Sequence, residues 1–311
     1  MKIAILGASS QIAKDMISYF VKDTKSSLYL YSRKSANLEE ELKSKNINFE
    51  NINFLDYEFF SEKNYYDVIL NFVGIGDPEK ALKLGSSIFD ITYEYDSLAM
   101  NNISKNPDTK YIFFSSGAVY GSNNFSSPPC DSSSSMISIN NLESSDWYSI
   151  SKIHSEARHR ALLNSKIIDL RVFNYISSNV DIYGTFFISD AIRSIIKNET
   201  LHTTNSNFYR DYIGPDDLFS LINVIIYSNI NNQPIDCYTK KHTSKFKILS
   251  MLEDCYGLNY QFSNKEYGLN YTGHKNYYYS ENRNASSFGY KPAHTSLETI
   301  KIEVEKIINR Y

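Results

Sequence analysis

The sequence has few cysteines, no long apolar run and little net charge, and each lack removes a class of function. Its three cysteines, Cys130, Cys237 and Cys255, are odd in number and far apart in a chain of 311 residues. That fits neither a disulfide framework nor a zinc site, and it agrees with a reducing compartment. No apolar stretch approaches the roughly 20 residues that span a bilayer, so no membrane partner is expected. A formal charge of −3 gives no electrostatic reason to expect nucleic acid. The chain opens directly on Lys2-Ile-Ala-Ile-Leu6, a strand pattern with no leader ahead of it, so a cytoplasmic protein is expected. Of the six histidines, His154 and His159 sit closest, beside Arg158 and Arg160. They read as a solvated basic helix face, and no metal is expected. No internal repeat is present.

What the chain does have is alternation. Short apolar runs and amphipathic stretches succeed one another through the first half, the pattern of βαβ units and a parallel sheet. Strands are expected at Lys2–Leu6, Ser27–Tyr31, Asn48–Phe54, Val68–Phe72, Tyr111–Ser115 and Ile167–Val172. Helices are expected between them at Gln11–Phe20, Ala36–Lys45, Gly85–Asn101 and Trp147–Asn164. Six such strands describe an α/β fold of Rossmann type, a doubly wound parallel sheet, since right-handed crossovers leave little other choice. After Asn174 the rhythm loosens, with helices expected at Thr185–Lys197, Pro215–Ser228, Lys245–Tyr256 and Ser296–Asn309, and strands near Ile235–Tyr238 and Asn259–Phe262. The expected division is a dinucleotide-binding domain over 1–174 and a smaller α/β substrate-binding cap over 175–311, some of whose segments return to the first sheet. The serine- and asparagine-rich stretch Ser122–Asp146 reads as a surface loop bordering the site, either a lid or a plain insertion.

The chemistry concentrates in Tyr148-Ser149-Ile150-Ser151-Lys152 and in Ser116 upstream. Tyr148 and Lys152 are four apart on an expected helix and so share one face. A phenol titrates near 10, and a nearby ammonium favours the phenolate, so Tyr148 becomes a proton carrier with Ser116 bonding the same substrate oxygen. In a chain with 26 tyrosines such a spacing also arises by chance, and the other motifs have to decide.

They lie where a dinucleotide needs them. Gly7, Ser9, Ser10, Gln11 and Ile12 follow the first strand and open the first helix, where backbone N–H groups and the helix dipole meet a pyrophosphate. Ser10 and Ala13 replace two of the usual three glycines. The second strand ends on Ser32 and Arg33, with no acid for a ribose 2′-hydroxyl, so a 2′-phosphate and hence NADP(H) is expected in preference to NAD. Asp56 ends the third strand, either at the adenine or as a helix N-cap. Phe72, Val73 and Gly74 end the fourth, where small residues let the cofactor pass.

Together these residues resemble the extended short-chain dehydrogenase/reductase family, the nucleotide-sugar epimerase, dehydratase and reductase group. The resemblance rests on Gly-Ala-Ser-Ser-Gln-Ile-Ala (7–13), Ser-Ser-Gly-Ala-Val-Tyr-Gly (115–121), Tyr-Ser-Ile-Ser-Lys (148–152), Leu-Arg-Val-Phe-Asn (170–174) and Arg-Asp-Tyr-Ile-Gly-Pro-Asp-Asp (210–217). It implies Ser116, Tyr148 and Lys152 as the catalytic set. It also implies Asn174, Arg210 and Arg283 as contacts to a nucleotide-activated sugar, although an internal Arg210–Asp211 pair is a second reading. The dehydratases of that group carry Asp-Glu after the Ser/Thr; Gly117-Ala118 stands here, which cannot move a proton. The expectation is therefore an NADPH-dependent reductase of a 4-keto deoxysugar nucleotide, serving surface polysaccharide and pairing as a homodimer. A 4-epimerase with bound NAD(P) is the alternative, and a non-catalytic NADP-binding sensor is a third reading. The tyrosine-rich stretch Tyr271–Ser280 has no assignment.

Overall fold

The structure, a computed structural model, describes residues 1–22, 25–44, 50–74, 83–121, 127–131, 133–135, 137, 139–263 and 276–311. Parts of the expected second helix (Lys45), third strand (Asn48), 122–146 loop and tyrosine stretch (271–275) lie outside the described residues. The first six strands are β1 (Lys2–Leu6), β2 (Ser27–Ser32), β3 (Ile52–Asp56), β4 (Val68–Asn71), β5 (Lys110–Ser116) and β6 (Ile167–Val172). Shorter ones follow: β7 (Asn174–Tyr175), β8 (Leu201–Thr203), β9 (Tyr209–Arg210), β10 (Tyr212–Ile213), β11 (Gln233–Asp236), β12 (Thr243–Ser244), β13 (Tyr260–Phe262) and β14 (Tyr277–Tyr278). The helices are α1 (Gln11–Phe20), α2 (Ser35–Lys43), α3 (Ser87–Lys105), α4 (Trp147–Arg160), α5 (Phe187–Lys197), α6 (Pro215–Tyr227), α7 (Lys245–Tyr256) and α8 (Ser296–Ile308).

Seven strands form one sheet in the order β11-β6-β5-β4-β1-β2-β3, every neighbouring pair parallel. A parallel sheet is covered on both faces, so its strands are apolar throughout. In β1, Ile3 and Ile5 enter one core and Ala4 and Leu6 the other, the period-two alternation of a strand. β5 divides the same way, Ile112 and Phe114 against Tyr111 and Phe113. One face is closed by α1 and α6, whose Leu218, Leu221, Ile222 and Ile225 join the Ile3 core, while Ala99 and Ile103 of α3 close the other. A separate core around Ile176, Ile192, Ile248, Leu252 and Val304 holds the C-terminal part. Thus β11 and α6 extend the first sheet, although they lie beyond residue 174.

Helix ends follow local chemistry. The Ser10 and Ser244 side chains accept from the N–H groups of Ala13 and Lys247 to start α1 and α7, and Thr295 with Glu298 closes a capping box on α8. α4 stops at Arg160, four residues before its expected end.

His159 corrects the sequence reading: it does not lie on a solvated face. It is fully buried, with Nδ1 2.6 Å from Asp169 and Nε2 2.8 Å from Asp96. Arg158 and Arg160 reach the same two carboxylates. With both ring nitrogens against carboxylates, both must donate, and the ring is an imidazolium. Burial works against that charge, but Asp169 and Asp96 outweigh it and raise the pKa to about 9.

Candidate active site

Because all seven strands run the same way, their C-terminal ends share one edge of the sheet. The order reverses between β1 and β4, and the crevice at such a reversal is where open α/β sheets take ligands. Gly7, Ser32, Asp56, Phe72, Ser116 and Asn174 all end a strand or lie one or two residues past one.

Ser116 closes β5, and its Oγ accepts the Ala118 N–H at 3.1 Å as a 3-10 turn begins. That turn brings Gly117 against the Phe173 ring: an added Cβ at 117 would stand 2.3 Å from it. A side chain at 117 would have to displace that ring. Tyr148 and Lys152 share a face of α4, as their spacing requires. Tyr148 lies close enough to Ser116 to interact with its hydroxyl, while Lys152 turns to the sheet. Its Nζ donates to the Phe114 carbonyl at 2.8 Å and lies 4.3 Å from the Phe113 ring centroid. An added Cβ on Gly74 would stand 3.1 Å from that Nζ, so the end of β4 passes close to the ammonium.

This geometry corrects the expected electrostatics. Burial raises the Tyr148 phenol above its usual 10, Tyr278 adds to the rise, and Ser116 offsets part of it. Lys152 directs its Nζ to the Phe114 carbonyl, and burial sets the direction of the phenol's shift. Tyr148 is therefore a protonated phenol at neutral pH. Burial lowers Lys152 itself to about 8, against the pull of Asp96, Glu156 and Asp169.

The residues expected to hold a dinucleotide form a surface suited to one. Gly7 has φ +72°, and a Cβ there would meet the Phe72 and Val73 backbones at 2.9 Å, so only glycine makes this turn. Its N–H donates to the Tyr57 hydroxyl at 2.8 Å. Ser10 Oγ caps α1, Gln11 donates to Ser177 at 3.1 Å, Ile12 packs on the main core, and Ser9 is exposed. Ser32 is buried, yet among the described residues its Oγ has no hydrogen-bond partner, an orphaned group at the position where a ribose is expected. Arg33 is exposed beside it, close enough to act on the Tyr57 and Tyr95 phenols. Asp56 accepts from the Ser35 N–H at 2.9 Å, at the start of α2. Phe72 stacks on Phe114 at 3.8 Å, and the Val73 N–H bonds Asn71 at 2.9 Å.

The expected substrate residues divide. Asn174 donates to the carbonyls of Tyr278 (3.1 Å) and Asp211 (3.3 Å). Arg210 is buried, with its guanidinium between the Phe208 and Tyr278 rings at 4.6 and 5.7 Å. Asp211 turns to Thr239. Arg283 lies 4.2 Å from the Tyr238 ring centroid and close enough to Asp211 to act on its carboxyl.

Two groups escaped the sequence reading. Tyr278, from the unassigned tyrosine stretch, places its hydroxyl 3.2 Å from Ser116 Oγ. Behind the site, Arg171 pairs with Glu156 at 2.5 Å and Asp236 at 3.5 Å. Ser115, Tyr120 and Ser280 complete that network. Only the clustering of hydroxyl residues in 115–120 and 277–280 hinted at either. Among the described residues no His/Cys/Asp/Glu cluster could hold a metal, and no helix is long and apolar enough to cross a membrane.

The fold is shared with solved enzymes. A dTDP-glucose 4,6-dehydratase from Bacillus anthracis in complex with NAD superposes with TM-score 0.78 at 15% identity, over 98% of this chain and 96% of that one. A UDP-glucose 4-epimerase from Thermotoga maritima with UDP-glucose gives 0.77 at 16%, over 100% and 99%. A UDP-glucuronic acid 4-epimerase from Bacillus cereus, in complex with UDP-glucuronic acid and NAD, gives 0.75 at 17% over the whole of both chains. A search of curated protein sequences returns no match. At these identities the neighbours speak for the fold alone, and the sequence itself supplies the family: residues 3–236 match the NAD dependent epimerase/dehydratase family, and the chain belongs to it.

Proposed function

We propose that this protein is a nucleotide-sugar 4-epimerase, inverting C4 by reversible hydride transfer with a nicotinamide dinucleotide. The observation that carries the reading is the meeting of Ser116, Tyr148 and Lys152 on the sheet edge that also bears the Gly7 turn. Family membership and the 4-epimerases among the neighbours favour epimerisation over the 4-keto reductase expected first from the sequence. Gly117 and Ala118 offer no group for eliminating water.

The bound cofactor supplies one thing, a hydride acceptor and donor at C4. Tyr148 carries the proton of the C4 oxygen: its phenolate takes the proton as the sugar is oxidised and the phenol returns it on reduction, so epimerisation requires the buried phenol to ionise first. Ser116 bonds the same oxygen while its charge changes. Lys152 holds a positive charge between Phe114 and Gly74. Asn174 and Arg210 bind the diphosphate; a guanidinium suits it with paired donors. Ser32 and Arg33, with no carboxylate beside them, support NADP(H) as the cofactor.

A 4-keto reductase is the second reading. The same Ser32–Arg33 end favours it, as does a Tyr148 phenol already protonated to act as acid. The cytoplasmic location, surface-polysaccharide role and homodimer belong to this proposal, as expectations from the resemblance. The deciding experiment supplies UDP- and dTDP-hexoses with catalytic NAD or NADP, and 4-keto sugar nucleotides with NADPH. Interconversion of C4 epimers without net cofactor consumption supports the epimerase. Stoichiometric NADPH oxidation moves the assignment to the reductase, and inertness toward both contradicts the proposal.

A further inference from the structure

Ser116 is engaged on two sides by hydrogen bonds. A serine hydroxyl has one proton to give and two lone pairs. One position is taken by the Ala118 N–H at 3.1 Å and one by the Tyr278 hydroxyl at 3.2 Å, with the Tyr148 phenol close enough to interact. The Ala118 N–H is fixed by the backbone turn, and Tyr148 is the proton carrier. Of the two bonded partners only the Tyr278 hydroxyl is a side chain, so it is the one that a sugar oxygen on Ser116 can replace.

The rest of Tyr278 lies among the other residues assigned to the substrate. Its carbonyl accepts from Asn174 at 3.1 Å. It sits opposite Arg210 in the β14–β9 pairing, with its ring 5.7 Å from the guanidinium. The ring packs on Phe173 at 5.3 Å, and the residue is only 8% exposed. Two residues on, Ser280 bonds Asp236 at 2.5 Å and Pro129 at 3.3 Å, and the Glu281 N–H bonds the same Pro129 carbonyl at 2.8 Å. The segment carrying Tyr278 is thus tied to the loop between Ser116 and Tyr148.

We infer that Tyr278 is an internal occupant of the substrate-oxygen seat, its hydroxyl holding the position on Ser116 that the reacting sugar oxygen takes, so that productive binding displaces it. This rests on the function proposed above. The seat stays filled and dry until a sugar nucleotide arrives, and each binding event works against the Tyr278 contact. Affinity is scaled down to the fraction of molecules in which the seat is free. Displacement also draws on Ser280 and Glu281, and so reaches the Pro129 loop.

The test is calorimetric binding of UDP-, dTDP-, GDP- and CDP-glucose to wild type, Tyr278→Phe, Ser116→Ala and the double variant, followed with whichever sugar binds tightest. Phenylalanine keeps the ring on Phe173 and removes only the competing hydroxyl. Tyr278→Phe should bind about three- to tenfold tighter, the range of one net hydrogen bond. The gain should vanish on the Ser116→Ala background, and KM should fall by the same factor without a matching loss in kcat. Equal or weaker binding by Tyr278→Phe overturns the inference, as does an undiminished gain when Ser116 is absent. If wild type binds a sugar nucleotide and the variant binds it no better, only this inference falls. If none of the four binds any variant, the functional reading falls with it.

Discussion

Stability should fall as pH rises from 6.5 toward 9, because His159 is held as a cation between Asp96 and Asp169. A histidine whose pKa is raised on folding stabilises the native state fully below its unfolded value, and the benefit is lost as pH climbs through the folded value. Here those values are 6.5 and about 9. At about 1.4 kcal/mol per unit, the full effect is about 3 kcal/mol, of which about 2 kcal/mol is lost between pH 6.5 and 8. From about pH 7 upward Lys110, Lys152 and Lys245, whose burial lowers each to about 8, contribute the other way, so the His159 effect is read as the difference from a variant that lacks it. The assay is urea unfolding at pH 6.5, 7.25 and 8, on wild type and His159→Gln. Across this range wild type should lose about 2 kcal/mol relative to His159→Gln, since the lysines act on both. The variant should also be about 3–5 kcal/mol less stable at pH 6.5, since two carboxylates lose their shared cation. A wild-type curve that is flat or rises relative to the variant would refute the imidazolium.

Two further outcomes follow from the site. Gly117→Ala should cost about 1–3 kcal/mol, the range for overpacking, because the new Cβ stands 2.3 Å from Phe173; an unchanged melting temperature contradicts the packing argument. Arg33→Ala should raise KM for NADPH about tenfold or more while leaving NADH nearly unaffected, the loss of a charge-assisted phosphate contact. Equal effects on the two cofactors count against a 2′-phosphate site at Ser32 and Arg33.

Much of this arrangement is legible in the chain because it is local. The buried strands are unbroken apolar runs, and Lys2–Leu6 and Ile167–Val172 are read to the residue. Lys245–Tyr256 likewise shows both its ends, a serine cap and Gly257. Ser116, Tyr148 and Lys152 are visible because a helical spacing and a strand end bring them into reach. What escapes is decided by distant partners. The two-residue strands β7, β9 and β14 have no periodicity of their own and exist only through pairing, so Tyr278 gives no local sign that it reaches Ser116 across 162 residues. His159 sits in a polar sequence that looks solvated, and its partner Asp96 lies 63 residues away. The lysine–tyrosine coupling is misread for a related reason: i,i+4 spacing puts two side chains on one face but does not say that a nearby backbone carbonyl takes one of them.

The most direct measurement follows a deuterium placed at C4 of a sugar nucleotide that the wild type turns over, in parallel with Tyr148→Phe. Hydride transfer with Tyr148 as proton carrier predicts that the label stays on C4 in both epimers. It also predicts that conversion falls by about 100-fold or more in the variant. Loss of the label to water, or conversion undiminished in Tyr148→Phe, contradicts the account.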